Sequence, residues 1–253
     1  MQGIHIRPVP GIPLIQVGDD LPKIILDALQ IADINLQSGD VLVITSKIVS
    51  KAEGRYVDLR TIEPGEKAIS VAAETGKDPR LVALVLREST EISRKAFGVL
   101  VTRHQLGFVS ANAGIDQSNI GEDAENFALL LPENPDESAL TIRNKLHAAT
   151  QVAPAIVISD SHGRPFRMGN IGVALGVAGM PALLDLRGQH DLSGRKLKIS
   201  MQGYADLVAS AAHLASGEGD EGLPVIHIRG LHFKGPDGTA ADLNRPADKD
   251  LYR

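Results

Sequence analysis

The chain has 253 residues, 43% hydrophobic and only 3% aromatic, enough for an aliphatic core in one large or two small domains. A net charge of -5 without a basic stripe argues against a nucleic-acid surface, so a polyphosphate partner needs metal ions or a local basic pocket. The absence of cysteine excludes disulfides, thiolate metal sites and a cysteine nucleophile, and Met1-Gln2-Gly3-Ile4-His5 lacks signal-peptide character. No apolar run is long enough to span a bilayer, so a soluble cytoplasmic protein is expected.

Ile4-His5-Ile6 alternates like a first strand, and the prolines from Pro8 to Pro13 stiffen the loop that carries Ile12, Pro13, Leu14 and Ile15. Asp19 or Asp20 caps a helix with one apolar face, Leu21, Ile24, Ile25, Ala28 and Leu29, and Pro22 is tolerated in its first turn. Gly39-Asp40 turns the chain into Val41-Leu42-Val43-Ile44, a run without alternation that predicts a strand covered on both faces. Thr45-Ser46-Lys47-Ile48-Val49-Ser50-Lys51 follows. Its hydroxyls and lysines either meet phosphate at the strand end or form an edge-strand lysine pair kept for solubility. Neither a Walker-type loop nor a glycine-rich dinucleotide fingerprint occurs.

Pro64 to Gly76 and Asp78 to Arg87 predict two helices, after which Glu88, Glu91 and Arg94 read as a solvated face. Two strands, Phe97 to Thr102 and Phe108 to Ala111, lead into Asn112-Ala113-Gly114-Ile115-Asp116-Gln117-Ser118-Asn119. There Gly114 allows close backbone approach, Asp116 offers a metal ligand and Asn119 can donate and accept toward a purine or ribose; an ordinary Asn/Asp-rich turn is the alternative. Ala128 to Leu131 predicts a strand stopped by Pro132, and Asn134 opens a helix reaching Ala149.

Ala155-Ile156-Val157-Ile158 predicts a buried strand that stops at Ser159-Asp160-Ser161-His162-Gly163-Arg164-Pro165-Phe166-Arg167, with Gly163 and Pro165 breaking regular structure. Carboxylate and hydroxyl oxygens beside Arg164 and Arg167 suit a metal-bound polyphosphate; a capped surface turn is the plainer alternative. The glycine-rich run Ile171 to Val177 suggests tight strand packing or an inter-subunit contact, and Lys198 to Met201 a further strand. A helix from Tyr204 ends at Ser216-Gly217-Glu218-Gly219-Asp220-Glu221-Gly222-Leu223. Acidic residues there add to the negative end of the helix dipole, which favours a bound cation. Pro224 to Arg229 closes the fold as a strand with His227 and Arg229 on one face.

Four motifs in order, Thr45-Ser-Lys-x-Val-Ser-Lys51-Ala-Glu-Gly, Asn112-Ala-Gly-Ile-Asp116-x-Ser-Asn119, Ser159-Asp-x-x-Gly-Arg-Pro-Phe-Arg167 and the Gly217-Glu-Gly loop before Pro224-Val, together resemble the coenzyme F420-0:L-glutamate ligase (gamma-glutamyl ligase) family. The resemblance runs from Gly11 to the Asp250-Leu-Tyr-Arg253 ending. It implies a mixed α and β (α+β) fold over residues 1–253, as a two-domain monomer with interleaved subdomains in an intertwined homodimer. It also implies a GTP-dependent ligase that adds one or more L-glutamates, with gamma linkages, to a phosphorylated deazaflavin.

By the same resemblance Ile12, Pro13, Leu14, Ile15, Ser46, Lys47, Lys51 and Asn119, with Ser216, Gly217, Glu218, Gly219, Asp220, Glu221, Gly222 and Leu223, contact GTP. Asp116 and Asp160 hold one Mg²⁺ or Mn²⁺, Ser161 and Glu218 a second, and potassium is a further cation. Asp116, Asp160, Lys51 and Arg164 are the expected catalytic set. Leu207 stands where the family often has a glutamate. The residues agree with such chemistry: a carboxylate needs activation before an amine can attack it, and two oxygen-ligated ions with nearby lysines and arginines would neutralise a triphosphate. A metal-dependent phosphohydrolase and a silent GTP-binding protein remain as alternatives. Phe108, Phe166 and Tyr204 are the candidate stacking partners for the deazaflavin.

Overall fold

In a computed structural model the structure describes residues 3–118 and 125–250. Asn119 lies outside the described residues. In chain order the elements are β1 (His5–Pro8), α1 (Leu21–Ile31), β2 (Val41–Thr45), α2 (Ser46–Ala52), β3 (Tyr56–Asp58), α3 (Glu66–Thr75) and α4 (Pro79–Arg87). Then come β4 (Ser89–Ala96), β5 (Val99–His104), β6 (Val109–Ala111), β7 (Phe127–Leu129) and α5 (Pro135–Thr150). The last are β8 (Ala155–Arg164), β9 (Arg167–Ala178), β10 (Leu183–Asp185), β11 (Met201–Gly203), α6 (Tyr204–Ser216) and β12 (Val225–Arg229). The fold is mixed α and β.

The principal sheet has the order β1-β12-β2-β8-β9, with β2 and β8 parallel and the other pairs antiparallel. Alternation sends Leu42, Ile44, Ile156 and Ile158 toward α1, α2 and α5, while Val41, Val43, Ala155 and Val157 face α6. Both faces are covered, which is why β2 reads as an unbroken apolar run. A third core of Leu59, Val71, Val82, Val85, Leu100 and Ala128 joins α3 and α4 to β5 and β7. β9 packs closely because Gly172 and Gly176 leave no room for more. A Cβ at Gly172 would fall 2.5 Å from Ala209 O, and one at Gly176 2.3 Å from Pro135 O.

Two helix starts follow the sequence. Pro22 occupies the first turn of α1, although the Asp20 side chain makes no cap hydrogen bond there. At α5, Asn134 Oδ1 accepts from Glu137 N at 3.3 Å.

Several expectations need correction. β8 does not stop at Ile158: it continues through Asp160 and His162 to Arg164, because β9 pairs with it across two register irregularities and supplies the hydrogen bonds that the apolar run alone would not predict. Lys47 and Lys51 are not an edge-strand pair, since β2 is flanked by β12 and β8 and the segment turns directly into α2. Glu88, Glu91 and Arg94 precede or lie on β4, and Glu88 is held by Arg55 rather than simply solvated. β11 begins at Met201, the last residue of the expected strand, and β7 ends at Leu129.

Candidate active site

Parallel pairing carries β2 and β8 to the same edge, with Thr45 opposite Ser159. The next residues therefore meet: Ser46 Oγ donates to Asp160 Oδ1 at 3.4 Å. Lys47, one position on, reaches a third element, with Nζ 2.7 Å from Asp116 Oδ2 and 3.0 Å from Ser118 Oγ. The first two residues of α2 thus connect the two carboxylates that the sequence singled out.

Asp116 is presented by a strained turn. Asn112, Ala113 and Gly114 all have positive φ, at 51°, 52° and 68°. Left-handed conformations cost a non-glycine residue on the order of 1–3 kcal/mol each and persist only when the surroundings enforce them. Here Ala113 is fully buried, and Asp116 exchanges backbone hydrogen bonds with Leu129 at 3.0 and 2.8 Å. Ser118 N then donates to Asp116 Oδ1 at 2.7 Å, closing an Asx-type turn. Burial works against the charged carboxylate of Asp116, but the bonds from Lys47 and Ser118 outweigh it and hold its pKa below the usual value. Lys51, one helical turn beyond Lys47, has its pKa lowered by burial and by repulsion from Lys47, with Asp116 opposing the shift.

Asp160 has a second neighbour in His162, whose Nε2 lies 3.1 Å from Asp160 Oδ2. Behind it stands an aromatic ladder: the His162 ring is 5.1 Å from that of Phe108, which stacks on His104 at 5.0 Å. His104 Nδ1 accepts from Leu106 N at 3.0 Å. Burial, then repulsion from Arg55 and His162, pushes the His104 pKa down to about 4.

Ser161 leaves β8 toward α6 and belongs to a neighbouring cluster. Its Oγ lies 3.3 Å from His213 Nε2, which is itself 2.7 Å from Glu218 Oε1. Asn170 Nδ2 donates to Glu218 Oε2 at 3.3 Å. The His213 bond leads in holding the Glu218 pKa below its usual value. In the same loop Gly217 ends α6 at φ 69°, and Gly219 N donates to Glu221 Oε2 at 2.8 Å, so Glu221 folds back on its own loop. Thr45 N donates to Pro224 O at 2.9 Å, which ties the loop's exit to the residue before Ser46. The segment with Ile12, Pro13, Leu14 and Ile15 reaches the far end of α2 through Gly18 N to Ala52 O at 2.9 Å. Ile15 there is buried, while Leu14 is exposed.

The structure therefore gathers Ser46, Lys47, Asp116 and Asp160, and beside them Ser161 and Glu218. Arg164 stands apart from these contacts: four residues up β8 from Asp160, roughly 13 Å of strand, its guanidinium donates to Gly169 O at 2.9 Å in the hairpin tip. Sequence reasoning gave no role to Ser118, His162, Asn170 and His213. Ser118 carries a signal, being two residues after an aspartate, and His162 another, being two after Asp160 on a strand. Asn170 and His213 have none, because they join Glu218 only through the fold.

A cleft of about 980 Å³ near α1, α2 and α5 is lined by Asp19, Asp20, Glu53, Glu133, Asp136 and Glu137, with Lys145 as a lone opposing charge. Its charge disfavours a polyphosphate, in contrast to the lysine-bearing edge of β2 and β8.

The family model described as F420-0:Gamma-glutamyl ligase matches residues 11–230. The chain is 44% identical over 254 aligned positions to the "Coenzyme F420:L-glutamate ligase" of Methanothermobacter thermautotrophicus, covering 99% of each. It is 42% identical to the protein of the same description from Methanopyrus kandleri, over 99% of this chain and 98% of the relative. With that of Methanocaldococcus jannaschii the figure is 43%, over 88% of each. The four motifs, the gathered side chains and a match across most of the chain agree: this protein belongs to the F420-0:gamma-glutamyl ligase family.

Proposed function

We propose that this chain is a GTP-dependent ligase of coenzyme F420 biosynthesis, joining the amino group of L-glutamate to the carboxylate of F420-0 and adding further glutamates by gamma linkages. The names carried by its relatives support the substrates. The observation that carries the reading is the pair of contacts made by consecutive residues, Ser46 to Asp160 and Lys47 to Asp116, at the shared edge of β2 and β8.

The reaction follows from the weakness of a carboxylate as an electrophile. A carboxylate oxygen of F420-0 attacks the γ-phosphorus of GTP, and the bond to the β-phosphate oxygen breaks, leaving GDP and an acyl phosphate. The glutamate nitrogen attacks the acyl carbon, phosphate leaves with the former carboxylate oxygen, and the nitrogen loses a proton. Positioning and charge neutralisation dominate such a transfer.

The donors fit the divalent ions that the family implies. Asp116 and Asp160, and Ser161 with Glu218, offer hard carboxylate and hydroxyl oxygens suited to Mg²⁺ or Mn²⁺. Among the described residues no group of three or more His, Cys, Asp or Glu side chains stands together as a closed metal site. Nucleotide phosphates and water would complete the coordination, as is usual for Mg²⁺ with one or two carboxylates. The ions would neutralise the triphosphate, and potassium is a further cation of this proposal. Lys47 has a corresponding role. Its ammonium holds the place of a cation against Asp116, and with Lys51 it is set to move onto phosphate oxygens when the nucleotide enters. Residues 216–223, tied to that edge through Pro224 and Thr45, and Ile12 to Ile15, near the far end of α2, would enclose the nucleotide.

No described helix is long and apolar enough to cross a membrane, and the proposed setting is the cytoplasm. The proposed assembly is a homodimer of two-domain subunits. It is supported by exposed apolar side chains at two places, Phe166 and Met168 at the β8–β9 tip and Leu192 and Ile199 in the arm between β10 and β11. Sedimentation velocity should give one species of two chains, and a monomer would remove this part.

The test of activity combines purified protein, GTP and Mn²⁺ with L-glutamate and F420-0, each omitted in turn. GDP formed only with both substrates, with a glutamyl mass increment on the acceptor, is expected. GDP without glutamate would establish a phosphohydrolase instead, and binding without turnover a silent GTP-binding protein.

A further inference from the structure

The acidic loop after α6 raises a physical problem. Glu218, Asp220 and Glu221 follow the negative end of a helix dipole in a stretch with three glycines, Gly217, Gly219 and Gly222. Repulsion and glycine entropy would both leave such a loop open before a cation arrives. The structure nonetheless fixes Glu218 at both of its oxygens, from two separate elements. His213, in the last turn of α6, puts Nε2 2.7 Å from Oε1, and Asn170, on β9, donates to Oε2 at 3.3 Å. The same Nε2 lies 3.3 Å from Ser161 Oγ on β8, so one imidazole nitrogen touches both the hydroxyl and the carboxylate proposed for the second ion.

We propose that His213 and Asn170 are positioning residues: they clasp Glu218 against Ser161 and so preset the acidic loop for the divalent cation before nucleotide binds. This rests on the metal reading above, but the clasp itself concerns only side chains of this chain. Its geometry gives the two residues unequal weight. His213 contacts both ends of the clasp and Asn170 only one, so His213 carries the greater effect. Groups that orient a metal's ligands typically contribute 10–100-fold in affinity.

The test uses the full-length protein with two independent readouts. Hydrogen exchange of residues 216–223, without metal or nucleotide, is compared among wild type, His213→Ala, His213→Gln and Asn170→Ala, with thermal unfolding as the control for folding. Mn²⁺ binding is followed by the electron paramagnetic resonance of the free ion at saturating GTP. His213→Ala should speed exchange of 216–223 at least tenfold and weaken Mn²⁺ binding 10–100-fold. His213→Gln, which keeps a donor nitrogen at similar reach, should recover part of both, and Asn170→Ala should fall between it and wild type. Equal exchange in all four proteins overturns the clasp. Faster exchange with unchanged Mn²⁺ affinity overturns its service to the cation, leaving an ordinary helix terminus. Wild-type protein that takes up no Mn²⁺ overturns the metal reading itself, and the exchange comparison then decides the clasp alone.

Discussion

The two ends of β2 carry similar chemistry used in opposite ways. Before the strand, Asp40 is 1% exposed and accepts from Gln37 N at 2.8 Å and from Arg229 Nε and Nη2, both at 2.7 Å, with His227 Nε2 beside it at 2.9 Å. After the strand, Asp160 is met by Ser46 at 3.4 Å and His162 at 3.1 Å, and Asp116 by one lysine and one serine, with about a third of its side chain in solvent. A carboxylate whose lone pairs are satisfied on every side is a structural tie between the turn at Gly39 and β12. A carboxylate that stays partly in solvent keeps acceptor capacity for a ligand. Charge and residue type do not distinguish the two; saturation does.

The sharpest way to break that contrast is substitution at each end. Asp160→Asn and Asp116→Asn should each lower turnover by about 10³-fold or more, at least ~4 kcal/mol of transition-state stabilisation, with thermal unfolding nearly unchanged. Full activity in both variants would remove the assignment. At the other end Asp40→Ala should leave His227 and Arg229 uncompensated and destabilise the fold by about 3–5 kcal/mol in urea unfolding, while the folded fraction keeps its turnover rate. A variant that unfolds like wild type would show that Asp40 is not the tie it looks to be.

The pH dependence of stability separates the two ends as well. His104, behind Asp160 through Phe108, has a folded pKa of about 4 against an ordinary 6.5, so the unfolded chain binds a proton that the folded protein refuses. Its contribution is complete above pH 6.5 and is lost as pH falls from there toward 4, on the order of 3 kcal/mol at the limit. Asp40 titrates in another window. Burial raises its pKa, but the bonds from Arg229, His227 and Gln37 prevail and bring it below the ordinary 3.8, so its contribution is lost only as pH drops below about 4. Urea unfolding from pH 8 to pH 3 should show both losses, and His104→Asn should flatten the first alone. The smallest effect belongs to Ser118→Ala, which removes one of the bonds orienting Asp116; about 1 kcal/mol, or several-fold in Mn²⁺ affinity, is expected by titration.

The difference between the ends also explains what was legible in the sequence. Local signals were enough for β2, whose four apolar residues announce a strand covered on both faces, and for the starts of α1 and α5. They were enough to offer Asp116 and Asp160 as candidate ligands beside glycine and hydroxyl residues, but each stretch alone also fits an ordinary turn, and the four motifs taken together singled the two out. Local signals failed where a partner strand decides the conformation. Nothing in Ser159 to Arg164 reports that β9 will pair with it past Gly163, so β8 was expected to stop six residues early. For Lys47 and Lys51 an edge-strand pair stayed open beside phosphate contact, because propensity cannot tell a strand's continuation from an immediate helix. The ties of Asp40 to Arg229 and of Glu218 to His213 and Asn170 depend on how distant elements dock. His213 in particular reads as one polar residue in an apolar helix until Glu218 is seen beside it.

One measurement bears most directly on the proposed chemistry. F420-0 labelled with ¹⁸O in its acceptor carboxylate is incubated with the protein, GTP, Mn²⁺ and L-glutamate, and the released phosphate is analysed by mass. Activation through an acyl phosphate predicts one ¹⁸O in each phosphate and an equal amount of glutamylated product. Phosphate carrying no ¹⁸O, its fourth oxygen taken from solvent, would mean that water is the acceptor at this edge, and the ligase account would be contradicted.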